Sequence, residues 1–374
     1  MSSVVAQNNI HWIRPAKGPP ASADEYPASS IQQTVSRSRP FIIPIFIPHA
    51  GCPHQCVFCN QRAITGAKSK KPSPAAIRIQ IADFLRYKRK HRSLTEVAYY
   101  GGNFLGLITD DIEVLLFEAG RFVQTGKVDG IRFSTRPDTI DLTQLDLIKP
   151  YPVSTVELGV QSMDDHVLSM ARRGHSAADT IKAVDLLKKR NYQIGLQIMI
   201  GLPGDSPEKA LVTAKKIAAL QPDFVRIYPT VVLEHSFLAQ MYRQRKYWPP
   251  SLASSVSLAK KLFLYFKENN IAVVRMGLQA AEDLDSGAAI LAGPYHPAFG
   301  HLVYSEIFLD TARSMLDKHK SNCDRVTIKV HPRSISRMRG LKNQNIAILK
   351  RDYNIRSITI TPDSSLSKDT VILD

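Results

Sequence analysis

The feature of this sequence that most restricts its fold is a regular alternation of short β-rich runs with longer amphipathic stretches. Stretches such as PAAIRIQIADFLRYKRKH, DDIEVLLFEAGRFVQ and SPEKALVTAKKIAAL separate the β-rich runs, and their apolar periodicity predicts helices. Alternating strands and helices favour parallel β-strands joined by right-handed crossovers. We therefore predict an α/β fold with a partial (β/α)6 barrel. The predicted strands are Phe41–Ile47, Glu96–Tyr100, Gly130–Thr135, Ser154–Gly159, Ile194–Ile200 and Asp223–Tyr228, with a possible seventh at Ala272–Met276.

Polar or glycine-rich segments follow all six predicted strands. AGCPHQCVFCNQ follows the first strand and GGN the second, and STRPD, GVQS, GLPGD and YPT follow the next four. In an α/β barrel these loops share the C-terminal rim, where active sites are built. We therefore expect the functional site at this rim. The DSPE segment at Asp205 also supplies a capping residue, then Pro and Glu for the first turn of a helix.

The chain is longer than one ordinary domain requires. Its 374 residues would accommodate an α/β barrel of about 250 residues and an appendage. The appendage is predicted as strand Val326–Val330, a short helix, a loop at Gly340–Asn343, helix Gln344–Asp352 and strand Ile355–Thr361. The predicted division is a loosely ordered segment 1–40, the partial barrel 41–302, a linker helix 303–324 and a small basic α/β unit 325–374.

Composition limits the class of protein and favours a polyanionic partner. The hydrophobic fraction of 44% and the charged fraction of 22% are those of a soluble globular protein. No apolar run reaches the ~20 residues that span a bilayer, and the N-terminus does not resemble a secretory signal. Four cysteines, three of them clustered, do not form a secreted disulfide framework, so we expect a cytoplasmic location. The net charge of +16 favours nucleic acid as a partner.

The cysteine loop suggests a metal centre. Cys52, Cys56 and Cys59 have the spacing C-x3-C-x2-C, so one short loop can turn three thiolates toward one centre. On a [4Fe-4S] cluster three thiolates leave one iron open for a small molecule. The alternative is a zinc site, which usually needs a fourth ligand. That ligand would be His49, His54 or Cys323.

These cysteines, with the aromatic Phe58 just before the last one, resemble the motif of the radical S-adenosylmethionine (SAM) superfamily. The resemblance implies a barrel of the radical SAM type, with a [4Fe-4S] cluster on Cys52, Cys56 and Cys59 and SAM on the open iron. It also implies reductive cleavage of SAM to a 5′-deoxyadenosyl radical. The reductant would be a donor of the flavodoxin or ferredoxin type.

The same resemblance implies residues that bind SAM. Gly101 and Gly102 correspond to the glycine motif near the methionine amino group, although Asn103 departs from the acidic residue often found third. The segment VELGVQSMDDHVLSMARRGH resembles the coproporphyrinogen dehydrogenase and Elongator catalytic subunit branches. By that likeness three side chains would contact the ribose and carboxylate of SAM: Gln161, Arg173 and Gln197.

Glu157 is a further candidate, because a carboxylate can accept hydrogen bonds from both ribose hydroxyls. Two alternatives come from the residues alone. Glu157 could instead pair with Arg132 or Arg136 inside the barrel. Arg172 and Arg173 could form a solvated helix face, since adjacent helical residues do not point the same way. The sequence identifies no residue at the site of hydrogen abstraction.

The likeness to the Elongator radical domain extends from about Phe41 to Leu302 and includes RIYPTVVLEHSFLA and LAGPYHPAFGHLVYSE. That family modifies wobble uridine in tRNA, so the resemblance implies a tRNA-modifying enzyme of the transferase or oxidoreductase type. The segment after the barrel is too short for the family's acetyltransferase domain, so we do not expect the whole reaction. The alternatives are a radical SAM enzyme acting on a tetrapyrrole and a zinc-stabilised RNA-binding protein without catalysis.

The basic tail resembles a KH-type RNA-binding unit, which grips a nucleotide backbone with a G-x-x-G loop. Here the loop is Gly340-Leu341-Lys342-Asn343, and Asn tolerates a left-handed backbone better than most residues. We predict RNA contacts from Arg339 and Lys342, and from Lys70 and Lys71 of a second basic run that follows the cysteine loop. The alternative is a small α/β cap with ordinary surface lysines.

Overall fold

A computed structural model describes residues 40–47, 50–60, 71–87, 94–279, 284, 287, 289–319 and 324–373. The predicted N-terminal segment 1–40 lies outside these residues except for Pro40. The described residues form two compact units. The first consists of the described residues of Met1–Pro53, Ala67–Gly159 and Ala178–Ile194, and the second of those of His54–Gly66, Val160–Ala177 and Gly195–Asp374.

The main sheet confirms the α/β prediction. In chain order the strands up to residue 292 are β1 (Phe41–Phe46), β2 (Thr95–Tyr100), β3 (Gly130–Thr135), β4 (Val153–Gln161), β5 (Gln193–Ile200), β6 (Phe224–Pro229), β7 (Val232–Leu233), β8 (Ala272–Met276) and β9 (Ile290–Ala292). Seven of them form one parallel sheet in the order β1-β2-β3-β4-β5-β6-β8. The seventh strand at Ala272–Met276 is therefore present. The short strands β7 and β9 pair antiparallel.

Helices follow the strands as the apolar periodicity predicts. They are α1 (Pro74–Arg86), α2 (Thr109–Gln124), α3 (Leu142–Ile148), α4 (Asp165–Met170), α5 (Ala177–Lys189), α6 (Pro207–Ala219), α7 (Phe237–Arg243), α8 (Leu252–Glu268) and α9 (Phe299–His319). Ser73, Asp141 and Ser251 cap three of these helices, each by accepting from a backbone N–H in the first turn. No helix within the described residues is long and apolar enough to cross a membrane.

A stack of buried aromatic rings fixes the turn after β2. The ring centroids of Tyr99 and Phe104 lie 5.2 Å apart, and those of Phe104 and Phe133 lie 4.4 Å apart. Because Tyr99 lies just before the GGN segment and Phe104 follows it, the stack anchors both sides of that turn. Such ring pairs add to the stability that area burial already provides.

The tail has the predicted order of elements and one more strand. It consists of β10 (Arg325–Val330), α10 (Ile335–Arg339), α11 (Gln344–Tyr353), β11 (Ser357–Pro362) and β12 (Val371–Leu373). β10 pairs parallel with β11 and antiparallel with the additional strand β12. Phe308, Leu309 and Ala312 of α9 belong to the same buried apolar cluster as the tail strands and helices. Helix α9 therefore supplies part of the core of the tail.

The GLPGD segment after β5 forms a tight turn closed by the half-buried carboxyl group of Asp205. Asp205 accepts hydrogen bonds from the backbone N–H groups of Gly201, at 2.8 Å, and Ser206, at 2.9 Å. The cap of α6 is Ser206, whose hydroxyl accepts from the N–H of Lys209. Burial raises the pKa of Asp205, whereas the hydrogen bonds from Gly201 and Ser206 and the charge of Lys209 lower it. The effect of burial is the largest, so the pKa rises from 3.8 to about 6.

This raised pKa predicts a pH-dependent stability. Because the folded pKa of Asp205 lies above its unfolded value, the folded state favours the protonated form, and this contribution is lost as the pH rises through about 6. The stability difference between the wild type and Asp205→Asn should change by about 2 kcal/mol between pH 4 and pH 7. Urea unfolding of both proteins across that range measures it.

Glu208→Gln is the control for that experiment. A hydrogen bond from the Ser206 hydroxyl lowers the pKa of Glu208, so its difference curve should run in the opposite direction and lose stability as the pH falls. A flat difference curve for Asp205→Asn would contradict the raised pKa.

Candidate functional site

Glycines let the backbone of the cysteine loop pack directly on the turn after β2. A Cβ atom added to Gly102 would lie 2.5 Å from the carbonyl oxygen of Ala50 and 2.6 Å from that of Ile47. Gly51 has a φ of +71°, and a Cβ there would lie 2.2 Å from the carbonyl oxygen of Asn103. Both positions therefore require glycine. The missing side chain of Gly102 makes room for the start of the cysteine loop.

Asn103 joins the cysteine loop to the end of β3. Its side chain is fully buried, and its Nδ2 donates to the carbonyl oxygen of Gly51 at 2.8 Å. Its Oδ1 accepts from the hydroxyl of Thr135 at 2.6 Å and from the N–H of Arg136 at 3.0 Å. Its own N–H donates to the carbonyl of Ala50 at 2.9 Å. This role was missed in the sequence, where only the departure from an acidic residue was visible.

The second half of the cysteine loop is held by backbone and core contacts. The N–H of Val57 donates to the carbonyl of Ala171 at 3.1 Å, and the carbonyl of Val57 accepts from the N–H of Leu238 at 2.7 Å. The Nδ2 of Asn60 donates to the carbonyl of Glu234 at 2.6 Å. Phe58 is half-buried against the apolar cluster that contains Val57. These contacts give Phe58 a packing role, and its predicted contact with SAM stays a prediction.

Arg173 places a buried cation against one of the three sulfurs. Its side chain is buried, and its Nη1 donates to the Sγ of Cys56 at 3.1 Å. The neighbouring Arg172 is exposed and lies over the ring of Phe237, with Cζ 4.7 Å from the ring centroid. The alternative that both arginines face solvent therefore holds for Arg172 but not for Arg173. A guanidinium here stabilises negative charge on the sulfur.

His54 packs beside the same segment. Gly174 has a φ of +69°, and a Cβ there would come within 2.4 Å of the His54 ring. The glycine of the ARRGH segment thus makes room for a side chain of the cysteine loop. The other two candidates for a fourth zinc ligand, His49 and Cys323, lie outside the described residues.

Glu157 lies in a buried cluster of charges. Its Oε1 accepts from the hydroxyl of Tyr100 at 2.8 Å and from the Nη1 of Arg132 at 3.2 Å. Arg132 also forms an ion pair with Glu96, in which Nε donates to Oε2 at 3.0 Å. Burial by itself lowers the pKa of Arg132, but the charges of Glu96, Tyr100 and Glu157 outweigh it and keep that pKa above its usual value. The pairing with Arg132 is the alternative arrangement considered for Glu157, and the contact with ribose stays a prediction.

The remaining predicted SAM contacts lie within strands or directly after one. Gly101 follows β2 with a φ of +99°. Gln161 ends β4, is buried and has a φ of +68°, an uncommon backbone conformation for a residue with a side chain. Gln197 of β5 is half-buried and lies beside Arg226 of β6 in the sheet register. Their contacts with SAM stay predictions.

The predicted RNA contacts differ in their surroundings. Lys71 forms an ion pair with Asp111, so part of its charge is already balanced. Lys70 lies outside the described residues. Arg339 and Lys342 are exposed at the loop between α10 and α11.

The donor set fits an iron–sulfur cluster. Cys52, Cys56 and Cys59 are cysteines of one short loop, and Cys56 is buried. A cluster bound through thiolates is stabilised by N–H donors to its sulfurs, such as the one that Arg173 provides. Within the described residues no three His, Cys, Asp or Glu side chains are grouped closely enough to hold a metal, so the structure does not bring the three sulfurs together, and their role as ligands stays a prediction.

Two curated relatives match more than half of this chain. A tRNA uridine(34) acetyltransferase of Dehalococcoides mccartyi is 28% identical over 251 residues, which are 59% of this chain and 54% of the relative. An uncharacterized protein of Methanocaldococcus jannaschii is 30% identical over 219 residues, 55% of this chain and 66% of the relative. The chain thus spans a little over half of one relative and just under two thirds of the other.

A solved structure and two family models agree with these relatives. The solved structure is the archaeal Elp3 of Methanocaldococcus infernus with an N-terminal deletion, which has a TM-score of 0.57 and is 22% identical in sequence. The match covers 74% of this chain and 64% of that chain, so the two share a fold. The model described as the Radical SAM superfamily matches residues 46–217, and the radical SAM C-terminal domain matches residues 222–308. The chain therefore belongs to the radical S-adenosylmethionine superfamily.

Proposed function

We propose that this radical SAM enzyme binds a [4Fe-4S] cluster on Cys52, Cys56 and Cys59, cleaves SAM reductively and modifies tRNA. The observation that carries the cofactor assignment is the buried Arg173 guanidinium at 3.1 Å from the sulfur of Cys56, which belongs to a loop with three cysteines. The tRNA assignment is supported by the name of the D. mccartyi relative and by the net charge of +16.

The chain's own residues would shape the site in three ways. When bound, the cluster and SAM supply a 5′-deoxyadenosyl radical that takes hydrogen from the substrate. Asn103 holds the first half of the cysteine loop through Gly51, and Arg173 neutralises negative charge at Cys56. Gln161 and Gln197 would orient SAM at the strand ends. An electron donor of the flavodoxin or ferredoxin type would supply the reducing electron.

The first experiment is anaerobic reconstitution of the full chain with iron and sulfide, followed by reduction with dithionite. We expect about four irons per chain and formation of 5′-deoxyadenosine from SAM. Cys52→Ala, Cys56→Ala and Cys59→Ala should each abolish both, while Cys323→Ala should abolish neither. One zinc per chain with no cleavage of SAM would contradict the proposal.

The substrate is tested by mass spectrometry of nucleosides from tRNA incubated with the reconstituted enzyme, SAM and reductant. We expect a new modified nucleoside that requires all three cysteines. Cleavage of SAM without any RNA product, together with turnover of a tetrapyrrole, would assign the enzyme to small-molecule chemistry instead.

Arg173→Gln tests the role of the buried cation. Groups that hydrogen-bond to a metal ligand typically contribute 10–100-fold to metal affinity or activity, so we expect the cluster to be lost to a chelator about 10–100-fold faster. Arg172→Gln is the matched control and should behave as the wild type, because Arg172 is exposed. Unchanged iron retention with a raised KM for SAM would place Arg173 on SAM, as the family resemblance implies.

Asn103→Asp tests how the cysteine loop is positioned. An aspartate keeps the acceptor for Thr135 and Arg136 but replaces the N–H donor facing the Gly51 carbonyl with a buried charge. We expect the apoprotein to lose about 3 kcal/mol of unfolding free energy and to take up less iron. Asn191→Asp, at an exposed position, is the control. Wild-type stability and iron content in Asn103→Asp would contradict this role.

A further inference from the structure

We infer that a basic cleft between α9 and the loop joining α10 to α11 binds the phosphate backbone of the RNA substrate. The residues that line this cleft are distant in sequence from the cysteine loop. The cleft has a volume of about 610 Å³. This lies within the ~300–1,000 Å³ range of ligand pockets, so the cleft is large enough for a nucleotide unit. The inference rests on the proposed function, because it takes RNA as the substrate.

The lining of the cleft has one sign of charge. Arg333, Arg339 and Lys342 line it, and no Asp or Glu is among its lining residues. His301 of α9 lines the same cleft, and burial together with the charge of Arg337 lowers its pKa, which favours the neutral imidazole at neutral pH. The three remaining cations give the cleft a charge that attracts an anion.

Two neighbouring arginines have carboxylate partners, whereas these three cations have none in the part of the chain that the structure describes. Arg337 pairs with Asp369 and Arg313 with Asp352. Within the described residues, Arg333, Arg339 and Lys342 form no ion pair, and all three are exposed. Unbalanced cations that share a cleft repel one another, and bound phosphates would remove that repulsion.

A buried amide holds the cleft in shape. The Nδ2 of Asn345, at the start of α11, donates to the carbonyl of Ser305 in α9 at 2.8 Å and to that of Arg337 at 3.3 Å. A Cβ on Gly340, whose φ is +71°, would lie 2.7 Å from the Oδ1 of Asn345. The loop that carries Lys342 is therefore packed tightly against the start of α11. Its cations therefore lie at a shallow, open cleft.

The experiment uses the full reconstituted chain with the paired changes Arg339→Glu and Lys342→Glu. The matched control is Lys318→Glu with Arg356→Glu, which makes the same change in net charge at two exposed positions outside the cleft. We expect the affinity of the cleft variant for tRNA to fall at least 10-fold. The slope of its log binding constant against log salt concentration should decrease in magnitude by about 1.5. The affinity of the control variant for tRNA should fall less than threefold.

A second readout separates this inference from the proposed function. Cleavage of SAM without RNA should be equal in the wild type and the cleft variant, and only the RNA product should be lost. If the wild type modifies tRNA and the cleft variant does so equally well, the cleft inference is wrong and the proposed function stands. If the wild type neither binds nor modifies RNA, both are wrong.

Two further arms identify the source of the phosphate. Inorganic phosphate and a mononucleotide, each at millimolar concentration, should compete only weakly with tRNA, because a single phosphate replaces few of the contacts. Strong competition by either would assign the cleft to a small phosphorylated ligand. Equal loss of tRNA binding in the cleft and control variants would show that only the overall charge matters and would overturn the inference.

Discussion

The site depends on direct packing of backbone against backbone around the cysteine loop. Carbonyl groups of Ile47 and Ala50 occupy the space where Gly102 would carry a side chain, and the carbonyl of Asn103 does the same at Gly51. No L-residue other than glycine fits such a contact without displacing the chain. Gly102 of the GGN segment therefore fixes the backbone that leads into Cys52.

The second constraint is the balance of buried charge. Arg132 lies between Glu96 and Glu157, and the hydroxyl groups of Tyr100 and Ser154 donate to these carboxylates at 2.8 and 2.7 Å. Removing one partner of such a cluster typically costs about 3–5 kcal/mol, because a buried charge is left unbalanced. Glu157 is therefore held rigidly in β4. The same reasoning applies to Arg173, whose guanidinium faces a sulfur that carries negative charge when it binds metal.

The fold was predictable because it follows from patterns along the chain. Apolar periodicity identified the seven strands of the main sheet within a few residues, and glycine and polar segments identified the loops after them, whereas the short strands β7, β9 and β12 were not predicted. The contacts that complete the site were not predictable, because they join residues distant in sequence. Asn103 looks like an ordinary substitution until its bonds to Gly51, Thr135 and Arg136 are known.

The tail shows the same limit for charge. Its density of basic residues is visible in the sequence, but only the structure separates balanced cations from unbalanced ones. Arg313 and Arg337 have carboxylate partners, while Arg339 and Lys342 line a cleft without an acidic residue. Because α9 supplies part of the core of the tail, the cleft is built on a helix that is packed on the tail strands. A flexible basic extension would bind polyanions through charge alone, whereas cations fixed in a cleft can also set where the backbone of a ligand lies.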